Sequence, residues 1–133
     1  MHEGVEPRLP KRGVKFASRQ RFGYLQYYRV DPAMHYEIWV QRKTERLEIG
    51  LHFEGPDGAR NYAAAEMLAM RAPEIVSAIG PEYELEEWTK VWTRLHRSFA
   101  APSLTPELAA AAADHAVELI VGMEPILKSL GLR

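Results

Sequence analysis

The sequence contains no cysteine. That excludes disulfide frameworks, thiolate zinc sites, iron–sulfur clusters and thiol nucleophiles. It also lacks any run approaching the ~18 charge-free apolar residues that a membrane-spanning helix needs. The opening stretch MHEGVEPRLPKRG has no apolar centre of the kind a secretory signal carries. The expectation is a cytoplasmic protein with no membrane partner. A strong charge of one sign is missing as well, because 17 basic and 18 acidic residues leave a formal net charge of −1. What is present is a chain of 133 residues, 47% apolar and 26% charged. At that length it buries roughly two-thirds of its unfolded surface without a covalent or metal staple.

The near-neutral total conceals a division. Residues 1–30 carry Arg8, Lys11, Arg12, Lys15, Arg19, Arg21 and Arg29 against Glu3 and Glu6, and the remainder of the chain is acidic. A basic arm on an acidic body has two readings. It seeks nucleic-acid phosphate, or it lies against its own body or a partner chain.

Along the chain, residues 1–13 combine Gly4, Pro7, Pro10 and Gly13 with charges and read as a flexible tail, leaving 14–133 as one domain. Residues 15–30 fit two patterns. Phe22, Tyr24, Tyr28 and Val30 alternate as in a strand, whereas Ala17, Arg21, Leu25 and Tyr28 form a helical stripe, and the helix is the expectation. Beyond Asp31-Pro32, the alternation of Tyr36, Ile38 and Val40 and of Leu47, Ile49, Leu51 and Phe53 around a polar link predicts a β-hairpin. A helix follows from about Arg60 to Ile79, which Pro73 should kink or split. A second hairpin carries Tyr83 and Leu85, then Val91, Thr93, Leu95 and Phe99. Thr105-Pro106-Glu107 then starts a last helix, with a hydroxyl cap, a first-turn proline and an early carboxylate.

The fold class this order implies is α+β: one antiparallel four-stranded sheet, ββαββα, with two helices on one face and a helical N-terminal segment. The strings YEI (36–38) and YEL (83–85), together with helical apolar positions that match at a shift of 51 residues, suggest two ββα halves at 34–80 and 82–131. The element order and the stretch IGPEYELEEWTKVWTRLHRSF resemble an uncharacterised bacterial domain of unknown function that is sometimes attached to restriction-type nucleases. The resemblance spans roughly residues 35–130, carries no catalytic motif, and implies at most a connection to nucleic acid.

Alternation assigns the two sides of the sheet. With the apolar set facing the helices, the other side receives His35, Glu37, Trp39, Glu48, Gly50, His52, Glu54, Glu84, Glu86, Trp88, Trp92, Arg94 and His96. All three tryptophans fall there, a large apolar area to leave in water. Three covers suit it: residues 14–30 as a roof, a second copy as a homodimer, or a small-molecule ligand in a groove. The ligand-binding candidates are Trp39, His52, Glu54, Trp88, Trp92, Arg94 and His96. Within them, His35-Tyr36-Glu37 and His52-Phe53-Glu54 repeat a His–aromatic–Glu pattern on two adjacent strands. Pairing Ile38 with Leu51 and Val40 with Ile49 sets His35 across from Glu54 and Glu37 across from His52. The four then suit a divalent metal, acid–base chemistry by a histidine beside a carboxylate, or cross-strand hydrogen bonds that only brace the hairpin. The leading expectation is a ligand-binding or interaction module working through this face. The alternatives are an enzyme using the same groups and a nucleic-acid accessory domain using the basic arm.

Overall fold

In a computed structural model the described residues are 17–21, 23–28 and 31–132. The flexible tail expected at 1–13 and most of the basic arm lie outside them. The remainder forms an α+β fold, with an antiparallel sheet backed by helices, as the residue pattern requires. The strands are β1 (Ala17–Arg21), β2 (Tyr24–Tyr28), β3 (Met34–Gln41), β4 (Arg46–Phe53), β5 (Glu84–Glu87) and β6 (Thr93–Ala100). The helices are α1 (Gly58–Ala69), α2 (Ala72–Ile79) and α3 (Pro106–Ser129). Among the described residues no helix is long and apolar enough to cross a membrane.

The sheet has six strands in the order β1-β2-β3-β4-β6-β5, every neighbour antiparallel. Two strands more than expected come from residues 17–21 and 24–28, which are not helical. Gly23 takes a left-handed φ of +88°, closing a tight β1–β2 turn that a helix cannot accommodate. The following Tyr-Leu-Gln-Tyr-Tyr is rich in aromatics that fit a pleated surface. Of the expected roof at 14–30, the described strands β1 and β2 do not lie over the tryptophan side. They lengthen the sheet, and Leu25 and Tyr27 bury in the helix-side core.

The two expected hairpins meet through their second strands, β4 against β6, which leaves β5 at an edge. Consequently Leu85 and Val91, both assigned to the core, are exposed. The β3–β4 register is also shifted by two residues from the expected one. Met34, Tyr36, Ile38 and Val40 stand across from Phe53, Leu51, Ile49 and Leu47. That choice gives each apolar residue of β4 an apolar partner. The expected register would have set Leu47 against Arg42. A slip of two preserves faces, so the sides of the strands are as alternation predicts.

Pro73 splits the first helical segment. It sits in the first turn of α2, after Met70 and Arg71 break the run. Asp57 caps α1, its carboxylate accepting from the Ala59 and Arg60 amides at 3.0 and 3.4 Å. Thr105 caps α3 through the Leu108 amide at 3.1 Å. Leu68, Ile75, Ala112, Ala116, Leu119, Ile120, Met123 and Leu127 pack on Ile38, Leu47, Ile49, Leu51 and Leu95 to form the core. At Gly122 an added Cβ would meet Ile79 Cγ2 at 2.6 Å, so glycine lets α3 approach α2 closely. The helices and this core occupy one side of the sheet, which leaves the other side for the polar set.

Candidate functional site

On the side away from the helices, β2, β3, β4 and β6 contribute a continuous polar layer. Register brings His35 across from His52, His52 across from Arg94, Glu37 across from Gly50, and Gln26 across from Glu37. His35, Glu37, Glu48 and His52 are 1, 6, 1 and 0% exposed. Charged side chains are that deeply buried only when they are paired or hold an ion. The expected register, with His35 directly across from Glu54 and Glu37 from His52, does not occur, although those side chains still meet on the diagonal at 3.5 and 3.9 Å. Instead the two imidazoles stack, with centroids 5.4 Å apart and planes inclined by 23°. The carboxylates reach them from along the strands.

His35 is fixed from outside by its own loop. Its Nδ1–H donates to the Pro32 carbonyl at 2.7 Å, which turns Nε2 inward. There Nε2 lies 3.1 Å from Glu37 Oε1, 3.5 Å from Glu54 Oε1 and 3.1 Å from the Gln26 amide nitrogen. Gln26 also donates to Glu37 Oε1 at 2.8 Å. His52 is bracketed by acids on both nitrogens. Nδ1 meets Glu54 Oε2 at 2.8 Å, and Nε2 meets Glu48 Oε1 at 3.1 Å with Glu37 Oε2 at 3.9 Å. Burial alone would lower the pKa of His52. The hydrogen bonds to Glu48 and Glu54, together with the charge of Glu37, outweigh it and push the value up to about 10. Burial likewise acts to raise Glu37, but its bond from His35, the charge of His52 and the Gln26 amide bring it below the ordinary carboxylate value.

Next to this group lies a second one. Arg94 donates from Nη1 to Glu48 Oε1 at 3.0 Å and from Nε to Glu86 Oε1 at 2.9 Å. Glu86 and Arg94 thus pair across β5 and β6. Arg94 holds Glu86 below its ordinary value against the opposing effect of burial. His96 sits 3.5 Å from Glu48 and 3.6 Å from Glu86, and its pKa is lowered by burial and by the charge of Arg94. Glu48 Oε2 is buried and has no hydrogen-bond partner among the described residues. The layer closes over Gly50, where an added Cβ would stand 2.9 Å from His96 Cβ and from the Leu95 carbonyl oxygen.

Trp88 supplies cover. Its ring meets His52 edge-on at 5.7 Å, and Arg94 stacks over it at 4.7 Å from the ring centre. Trp39 and Trp92 flank Trp88 at 6.2 and 5.6 Å. The place expected for a ligand groove over Trp39, His52 and Trp92 is therefore occupied by a third tryptophan. Cavities among the described residues lie elsewhere. One of about 350 Å³ is lined by Met34, Phe53, Asp57 and Arg60, and one of about 410 Å³ by Gly23, Trp39, Arg42 and Lys43. Neither includes the histidine–glutamate group.

Of the sequence candidates, His35, Glu37, His52 and Glu54 come together, each offering a ligand atom within 4.8 Å of the others. Trp88, Arg94 and His96 form their border, while Trp39 and Trp92 stand further out. Gln26 was missed as a site residue, because its alternation was hidden under the helical reading of 15–30. The chain matches no protein-family model, and no curated protein or solved structure matches it. The site is thus read from its own geometry.

Proposed function

We propose that this protein is a binding module whose ligand is a divalent transition-metal ion held between His35, Glu37, His52 and Glu54. The observation that carries the reading is the arrangement of the two imidazoles. Each has its outer nitrogen tied to a fixed acceptor, His35 to the Pro32 carbonyl and His52 to Glu48. Each turns its other nitrogen to Glu54. An outer partner that sets tautomer and ring orientation is the arrangement found around metal-bound histidines. Two imidazole nitrogens and two carboxylates form a donor set suited to zinc, and also to nickel, iron or manganese.

Charge supports the same reading. Three carboxylates, Glu37, Glu48 and Glu54, crowd around His35 and His52, with the Arg94 guanidinium at their border. A divalent ion adds positive charge among them and takes the proton's place on His52. Zinc draws its donors to about 2.0–2.2 Å, so the four must close from their present spread. Glu54, the least buried of them at 14% side-chain exposure, has the most room to move. Acid–base catalysis is the weaker reading, because a histidine raised to about 10 stays protonated at neutral pH and makes a poor base.

The test is calorimetric titration and thermal melting of the chelator-treated full chain with zinc, nickel, manganese and magnesium. Zinc or nickel should bind one ion per chain and raise Tm. His35→Ala and Glu54→Ala should each remove the effect, and His115→Ala should leave it intact. No heat and no shift across the panel would overturn the proposal.

A further inference from the structure

Among the described residues the sheet has six strands, and each runs antiparallel to its neighbours. With an even number of strands, the two edge strands β1 and β5 run in opposite directions. A second copy placed beside the first, β1 against β5, therefore continues the antiparallel alternation and keeps both helical layers on one side. Edge strands present unpaired N–H and C=O groups, a template for this kind of addition.

The two edges also carry opposite charge. β1 is Ala-Ser-Arg-Gln-Arg and β5 is Glu-Leu-Glu-Glu. Among the described residues β1 pairs only with β2 and β5 only with β6. Glu84 and Glu87 are exposed. One cross-strand row begins at Arg19 and passes through Gln26, Glu37, Gly50 and His96 to end at Glu84. Arg19 and Arg21 thus hold register positions of the same sheet side as Glu84 and Glu86. In an antiparallel β1–β5 contact, positions two apart on one strand oppose positions two apart on the other, so Glu84 meets Arg21 while Glu86 meets Arg19. Symmetric contacts fail the same test, since β5 on β5 opposes glutamates and β1 on β1 opposes arginines, which destabilises a cross-strand pair.

We infer that copies of this chain associate head to tail by sheet extension, β1 of one on β5 of the next, rather than as a symmetric dimer. A heterologous contact of this kind does not stop at two unless the ring closes. Edges of four and five residues give a small contact, so the association is weak and salt-sensitive. It is independent of the proposed metal site, which uses neither edge.

The experiment is sedimentation and light scattering of the full chain over a concentration series, at low and high salt, with chelator present so that no ion bridges chains. Mean mass should climb past that of a dimer at low salt and return to the monomer at high salt. Glu84→Arg alone and Arg21→Glu alone should each remain monomeric with an unchanged circular-dichroism spectrum. An equimolar mixture of the two variants should assemble again, since each then offers the edge charge the other lacks. A variant that merely misfolds cannot give that rescue. A monomer under all conditions, a species that stops at two, or variants that assemble as well as the parent would each overturn the inference.

Discussion

Raising the pH above neutrality should destabilise this protein, and His52 sets how much. The folded chain binds the His52 proton more tightly than the unfolded chain does, because the ordinary value of 6.5 rises to about 10. The stabilisation is complete below 6.5 and is lost as pH climbs toward 10. At ~1.4 kcal/mol per pKa unit, the full loss is on the order of 5 kcal/mol, a large share of the ~5–15 kcal/mol that holds a domain together. Glu37 acts in the opposite direction. Its pKa falls below 4.5 on folding, so its contribution is present above 4.5 and lost as pH drops. His96, lowered on folding, also weakens the fold as pH drops below 6.5, so between 4.5 and 10 stability should peak near 6.5. Urea unfolding in chelator across this range measures the curve, and emission of Trp88, 5.7 Å from His52, follows the same titration in the folded state. His52→Gln keeps a polar side chain but no proton to lose, so its alkaline limb should be flat. A parent curve that is flat from 6.5 to 10, or that rises, refutes the reasoning.

Two packing predictions accompany it. Gly50→Ala places a methyl 2.9 Å from the Leu95 carbonyl and from His96 Cβ, and 3.3 Å from His52 Cδ2. Backbone cannot yield there, so a loss of about 1–3 kcal/mol in urea unfolding is expected, and a neutral result would mean the polar layer is not close-packed. Buried Asn61 accepts from the Gly55 amide at 3.1 Å and donates to the Gly55 and Val91 carbonyls at 2.9 and 2.8 Å. Asn61→Ala strands all three groups and should cost about 2–3 kcal/mol, and a loss under ~0.5 kcal/mol would show that water replaces them.

The parts of this fold that were legible in the sequence share one property: a single period explains them. β3 and β4 alternate cleanly, α3 carries a hydroxyl cap and a first-turn proline, and Pro73 marks the break between α1 and α2. Residues 17–28 satisfy two periods at once, and Gly23 decides for strands only through a backbone angle. The His35, Glu37, His52 and Glu54 group was legible because a slip of two residues leaves faces unchanged. Its internal pairing was not, since register depends on how apolar residues match across strands. Pairing Leu47 with Val40 rather than Arg42 was the available clue. Alternation places Trp88 on this side of the sheet, but its seat over His52 was beyond reach, because Trp88 lies in the link between β5 and β6.

Why a chain with a full apolar core on one side of its sheet should bury a charged layer on the other is an energetic question. Buried ion pairs are commonly no more stable than apolar residues of the same size, and replacing them outright is often neutral or favourable by about 1–4 kcal/mol. Removing one partner alone costs about 3–5 kcal/mol, because a buried charge is left unpaired. Glu48 and His52, 1 and 0% exposed, allow the comparison. Their neighbours Arg94 and Glu54 are 13 and 14% exposed in their side chains, and keep Glu86 and His35 as partners when both are removed. The double variant Glu48→Leu/His52→Leu should be at least as stable as the parent near neutrality, lose the alkaline instability, and lose the zinc response. Glu48→Leu alone should be markedly less stable than either. That pattern would mean the charges are held for what they bind. A double variant as damaged as the single one would mean that they brace the sheet, and the case for a metal on this face would lose its energetic footing.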